Sequence, residues 1–175
     1  YRHLDELAEA IKAKPALAAV LGNSYDISPD VLVVRQPISQ QELGDSGIVV
    51  DGVASYSPLL ARNQSSPIIH AVVSCKWTLR SDRAQNARSE ALNLIRNRKG
   101  RTPHIVVVTG EPTPSRLSSL ALGTGDIDTV YHFALPELIE ATQASGNDEA
   151  MCTLDTLING QRLRDIADLP LDLAI

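Results

Sequence analysis

Four short pieces of this sequence carry side chains able to act on a charged substrate. Pro29-Asp30 opens the apolar run Val31 to Val34, which stands a carboxylate at the mouth of a strand. Ser74-Cys75-Lys76 closes a second apolar run that begins at Ile68. Glu90 follows Lys76 by fourteen residues, and Arg80 and Arg83 lie between them. A lysine at the end of a core strand must leave for solvent or meet a negative partner. Strand ends can meet at a common sheet edge. There a carboxylate can hold a hard divalent cation through oxygen while the lysine orients a water or helps deprotonate it. The cation would stabilise charge on a phosphate.

These side chains need elements to carry them. Leu4, Leu7 and Ile11, then Leu17, Val20 and Leu21, have helical spacing, with Pro15 dividing two pieces and Gly22-Asn23 as a stop. The prolines at 29 and 37 bound a strand expected to be buried, and 47–60 reads as a strand passing into a turn or short helix. Residues 68–77 form the next strand, followed by a helix from about Ser81 to Arg98 with Ser81 as N-cap, Asp82 in the first turn and Gly100 as the stop. Ala84, Ala87, Ala91, Leu94 and Ile95 make its apolar stripe. Positions 83, 90 and 97 are spaced by seven, and seven steps return within about 20° on a helix. Arg83, Glu90 and Asn97 therefore share one side, beside the stripe. From there Glu90 can reach the strand-end lysine, or else pair with Arg83 or Asn86 on the surface.

His104 to Thr109 is a continuous Val/Ile run and reads as a central strand. A proline-broken loop at 110–116 leads to a weaker segment, a strand at 127–134, a helical stretch from Leu135 to about Leu157, and a closing RLRDIADLPLDLAI. Neither repeats nor linkers divide the sequence. Strands alternating with helices predict one α/β domain over residues 1–175, built on a mixed central sheet. The chain opens on Tyr1 rather than Met, with helical pattern from the start, which reads as a fragment or processed chain.

Composition narrows the partners. No run of eighteen apolar residues exists, so no membrane span is expected. Cys75 and Cys152 lie far apart without metal-ligand spacing, as in a reduced intracellular protein. Six aromatics (Tyr1, Tyr25, Tyr56, Trp77, Tyr131 and Phe133) are too scattered for a base-stacking platform. The net charge is −5, yet from Lys76 to Arg116 nine basic residues face three acids, a balance of +6. The remainder carries seven basic and eighteen acidic residues, a balance of −11. Such asymmetry is the footprint of one face meeting a polyanion, or of a solvated basic helix.

Pro-Asp, a gap holding a hydrophobic segment, then an acid two residues before a lysine is the pattern of the PD-(D/E)xK nuclease superfamily. Here Ser74 stands where the acid belongs. Ser-x-Lys followed by Arg-Ser-Asp-Arg and a helical glutamate resembles the CCGG-recognising type II restriction endonucleases, and within them the NgoMIV-type enzymes. The likeness runs through SCKWTLRSDRAQNARSEALNLIRNRKGRTPHIVVVTGEPTPSRLSSLALGTG (74–125), YHFAL (131–135) and DLPLDLA (168–174). It departs between Asp45 and Gln64.

The resemblance implies a restriction-endonuclease-like core and a Mg²⁺-dependent, site-specific deoxyribonuclease of the prokaryotic cytoplasm. The expected product has four-base 5′ CCGG overhangs, and the expected assembly is a homotetramer of two dimers, each holding one double-stranded DNA. It implies Asp30 as the metal-binding acid, Lys76 as the catalytic lysine and Glu90 as the displaced carboxylate. Ser74 would be the serine in the acid's place, and Cys75 a metal ligand through its backbone carbonyl alone. Arg80, Asp82 and Arg83 would read the CCGG core in the major groove. Arginine fits guanine O6 and N7 bidentately and aspartate accepts from the cytosine amino group, which suits adjacent C·G pairs. Arg116 would read an outer G·C pair, favouring GCCGGC. Arg96, Arg98, Lys99 and Arg101 would touch phosphates or stay solvated.

His70 and His104 are expected as strand residues of the core or its rim. Asp51 also ends a hydrophobic run, but before Gly52 it reads as a turn residue, and Pro29 favours Asp30. The resemblance also implies an N-terminal portion with a further glutamate and a minor-groove contact, which has no counterpart before Tyr1. Two other readings stay open. One is a sequence-specific DNA-binding fragment deficient in cleavage; the other is a structural α/β domain whose basic helix is only surface.

Overall fold

The computed structural model describes residues 2–14, 16, 19–20, 28–47, 55–123 and 125–174. The expected turn at Asp51, the break at Pro15, the stop at Gly22-Asn23 and residues 48–54 of the expected 47–60 segment lie outside these residues.

Among the described residues five strands form one sheet in chain order: β1 (Val31–Arg35), β2 (Ile68–Lys76), β3 (His104–Thr109), β4 (Thr129–His132) and β5 (Leu163–Asp165). β1 pairs antiparallel with β2 and every later pair is parallel, so the sheet is mixed as expected. The helices are α1 (Arg2–Lys12), α2 (Gln40–Asp45), α3 (Ser81–Asn97), α4 (Pro114–Ala121), α5 (Leu135–Ala144), α6 (Asp148–Asn159) and α7 (Leu169–Asp172).

Alternation along the strands assigns the two faces. Val72, Ile105, Val107, Val130 and Leu163 point to one side, where they pack with Ala87, Ala91 and Leu94 of α3, Leu117 and Leu120 of α4, and Leu154 and Leu157 of α6. Each buried leucine there contributes about 1.5–3 kcal/mol. Val73, Val106 and Tyr131 point to the other side, against Ile166 and Leu169 of the C-terminal segment. Tyr131 holds that segment by donating its hydroxyl to Asp172 Oδ2 at 2.7 Å. His70 and His104 lie edge to face with centroids 5.2 Å apart, His70 buried and His104 half-buried, which places them as expected.

Three expectations are corrected. β1 is not buried: Val31, Leu32 and Val34 are 47–48% exposed, because an edge strand is paired on one side only and no described element covers its faces. Ser81 does not cap α3; the N-cap is Arg80, without a side-chain cap bond, and Ser81 is already helical. The 110–116 loop is shorter than expected. Pro114 begins helix α4, a position where its missing N–H costs nothing, and this puts Arg116 on a helix. Gly100 does end the α3 region, with a φ of +97° that L side chains rarely adopt.

Candidate active site

The site forms where β1 stops and β2 continues. The antiparallel register ends at Val31↔Val73, so Asp30 comes off β1 beside Ser74 and Cys75. Its Oδ2 accepts the Cys75 N–H at 2.7 Å and a Lys76 Nζ hydrogen at 3.3 Å. The Cys75 amide, with Lys76 adding to it, holds the Asp30 carboxyl below its ordinary pKa despite partial burial. In an extended strand the N–H and C=O of one residue point the same way. The Cys75 carbonyl therefore also faces the Asp30 side, beyond the reach of β1.

Ser74 and Lys76 share the sheet face of Val72, the face that α3 covers. Residues 84, 87, 91 and 94 of α3 are buried, and Glu90 lies at the border of that stripe. From there its Oε2 accepts the Ser74 hydroxyl at 3.2 Å and stands 4.0 Å from Lys76 Nζ. Lys76 bridges the two carboxylates with its side chain only 18% exposed, against 46% for Asp30 and 35% for Glu90. The structure thus brings Asp30, Ser74, Cys75, Lys76 and Glu90 together. Of the two options left open for Glu90, it adopts the reach to the lysine rather than a pairing with Arg83.

Burial and the nearby Asp30 carboxylate push the Cys75 thiol above its ordinary pKa, with Lys76 opposing, so it stays protonated and a poor ligand at neutral pH. Among the described residues no group of three or more His, Cys, Asp or Glu gathers to hold a metal. The donors at this edge are hard oxygens: two carboxylates and a strand carbonyl. Such a set suits Mg²⁺, which binds through one or two carboxylates and fills its shell with water and substrate phosphate.

The expected reading residues stand four to seven positions past Lys76, apart from Arg116. Arg80, Asp82 and Arg83 are exposed at the start of α3, where Arg83 Nη1 donates to Thr78 Oγ1 at 3.1 Å. Arg116 is exposed on the first turn of α4, its Nη1 3.5 Å from Glu111 Oε1. Sequence reasoning missed Glu111, which is fully buried between the two helix starts. Nothing in a lone glutamate within Gly-Glu-Pro announces burial. The available signal was its place, after a core strand and before a proline-opened helix.

A carboxylate pair bridged by a lysine thus stands at the edge of a mixed sheet flanked by helices, with exposed arginines opening the next helix. The chain belongs to the NgoMIV restriction enzyme family, whose profile matches residues 1–175. It is 57% identical over 176 residues to a protein of Neisseria gonorrhoeae named "Type II restriction enzyme NgoMIV", covering all of this chain and 62% of that protein. The chain therefore spans less than two thirds of that relative's length. Among solved structures it is similar to a PspGI restriction endonuclease–substrate DNA complex, with TM-score 0.39 and 22% identity over 59% of this chain and 39% of that one.

Proposed function

We propose that this chain is the catalytic and DNA-reading domain of a Mg²⁺-dependent type II restriction endonuclease, cutting double-stranded DNA at the palindrome GCCGGC and leaving four-base 5′ overhangs. One observation carries the reading: Lys76 stands between Asp30 and Glu90, four residues ahead of the arginine that opens α3, in a chain of this family. Cleavage and base reading would share one connection. The lysine leaves the core because its ammonium faces a scissile phosphate, and the arginines follow because the next helix begins in the major groove.

Asp30, Glu90 and the Cys75 carbonyl would hold the cation, which when bound polarises the scissile phosphate. Lys76 orients a water toward phosphorus and eases the loss of its proton. The water oxygen bonds to phosphorus as the bond to the leaving 3′-oxygen breaks. Glu90 holds the Lys76 ammonium on the reactive side, and Ser74 holds Glu90 in turn. Arg80, Asp82 and Arg83 read the CCGG core, and Arg116 reads the outer G·C pair. A palindrome needs two reading heads related by a two-fold axis. The proposed assembly is a homotetramer of two such dimers in a prokaryotic cytoplasm; among the described residues no helix is long and apolar enough to cross a membrane.

Digestion of plasmids bearing no, one or two GCCGGC sites, with Mg²⁺ and with EDTA, tests this. Metal-dependent cuts at those sites alone are expected, with the two-site plasmid cut faster. Cuts elsewhere overturn the site assignment. Intact plasmid with specific duplex binding would select the DNA-binding reading, in which this chain recognises the sequence without cutting it.

A further inference from the structure

Two helices would carry base readers, and one buried carboxylate touches the start of both. Glu111 is fully buried in the turn between β3 and α4. Its Oε2 accepts the N–H of Leu79, at 2.7 Å, one residue before the N-cap of α3. Its Oε1 accepts the N–H of Thr113, the N-cap of α4, at 3.1 Å, and lies 3.5 Å from Arg116 Nη1. Neither N-cap makes a side-chain cap bond; Glu111 supplies the negative charge that the first turn of α4 lacks, and adds to that of Asp82 at the start of α3.

The turn holding this carboxylate is itself fixed. The Glu111 N–H donates to Thr109 Oγ1 at 3.2 Å. His132 Nδ1 accepts the Ala134 N–H at 3.0 Å, which leaves the proton on Nε2 to donate to the Glu111 carbonyl at 3.2 Å. Arg116 is the opposite case: its side chain is 53% exposed, and Glu111 is the ion partner anchoring it. An arginine read against guanine must present a planar fork at a fixed angle. One guanidinium nitrogen lies beside Glu111, and the rest of the fork is open to solvent.

We propose that Glu111 is a positioning residue that aims Arg116 and fixes the start of α4 relative to that of α3, so that discrimination at the outer base pair depends on it. This rests on the assignment of Arg116 to that pair under the proposed function. Glu111 touches no base and takes no part in hydrolysis.

The test is duplex binding in EDTA by the full-length protein and its Glu111→Gln variant, with circular dichroism to confirm folding. Three duplexes are compared: GCCGGC, one altered at the outer pair, and one altered within CCGG. The expected result is about a tenfold loss of outer-pair discrimination, the order of one good bidentate contact. Inner discrimination should change less than about threefold, and Arg116→Ala should add little on top. A folded variant with outer discrimination intact overturns the proposal, as does equal loss at both positions. If Glu111→Gln fails to fold, Glu111→Asp takes its place, keeping the charge but withdrawing it from Arg116. Failure of both to fold makes the residue purely structural and also overturns the proposal. A parent protein with no preference among the duplexes removes the DNA reading, and this inference with it.

Discussion

Lys76 concentrates the chemistry of the site, and its environment separates a catalytic from a structural role. A purely structural lysine would sit in a closed ion pair, whereas this one bridges two partly exposed carboxylates at an open edge. Replacing it with alanine removes the ammonium that orients the nucleophile, so Lys76→Ala should lower the cleavage rate by on the order of 10³-fold. Specific binding should stay within about fivefold, since one phosphate-facing cation among several is lost. Single-turnover cleavage and duplex binding in EDTA measure the two separately. Loss of specific binding or of the fold would make the lysine structural and the site assignment wrong. At this scale most of the site was legible: Pro29-Asp30, Ser74-x-Lys76 and Glu90 at helical spacing from Arg83 are local patterns. Glu111 was not, because burial is a property of the turns around it and not of its neighbours in sequence.

At the scale of elements, contiguity decided what could be read. β3 and α3 matched their expected bounds to within a residue, since each is a long run with one periodicity. β1 has the same composition as a core strand, and only its place at the sheet edge, invisible locally, leaves it exposed. β5 has three residues and a single apolar one, so its strand character comes from pairing with β4 rather than from pattern. What secures that corner is Arg162, just before β5. Its Nε donates to Ala121 O at 3.0 Å, and Nη1 and Nη2 donate to Asp128 O and Ile127 O at 2.9 and 2.8 Å. One planar guanidinium thus ties the end of α4 to the approach of β4, a fork that lysine cannot reproduce. Arg162→Ala strands three carbonyls and should destabilise the fold by about 2–4 kcal/mol, with Arg162→Lys recovering little of it. Urea denaturation gives the value directly. A loss below about 0.5 kcal/mol would mean that water replaces the fork at no cost.

Over the whole molecule, a chain of net charge −5 is proposed to bind a polyanion, and the distribution of charge resolves the tension. At physiological salt, charges are screened beyond about 8 Å. DNA at the start of α3 would respond to Lys76, Arg80, Arg83 and Arg116 and to the four acids beside them, Asp30, Asp82, Glu90 and Glu111, not to the acids farther away. Acidic α1, with Asp5, Glu6 and Glu9, docks at the opposite end of α3, where His3 Nε2 meets Asn97 O at 2.8 Å. Arg96 and Lys99 are also at that far end, Lys99 past the last helical residue, and from Arg83 to Arg96 the helix rises about 20 Å. That separation is about two and a half screening lengths. Specific binding should therefore weaken from 50 to 200 mM salt, by on the order of 10²-fold for those four cations. Neutralising both Arg96 and Lys99 to glutamine should leave the slope of log affinity against log salt unchanged. A slope lowered by about one per side chain removed would show the duplex running along the full length of α3, with those cations on its phosphates. A shallow slope in the parent would return the basic helix to plain solvated surface.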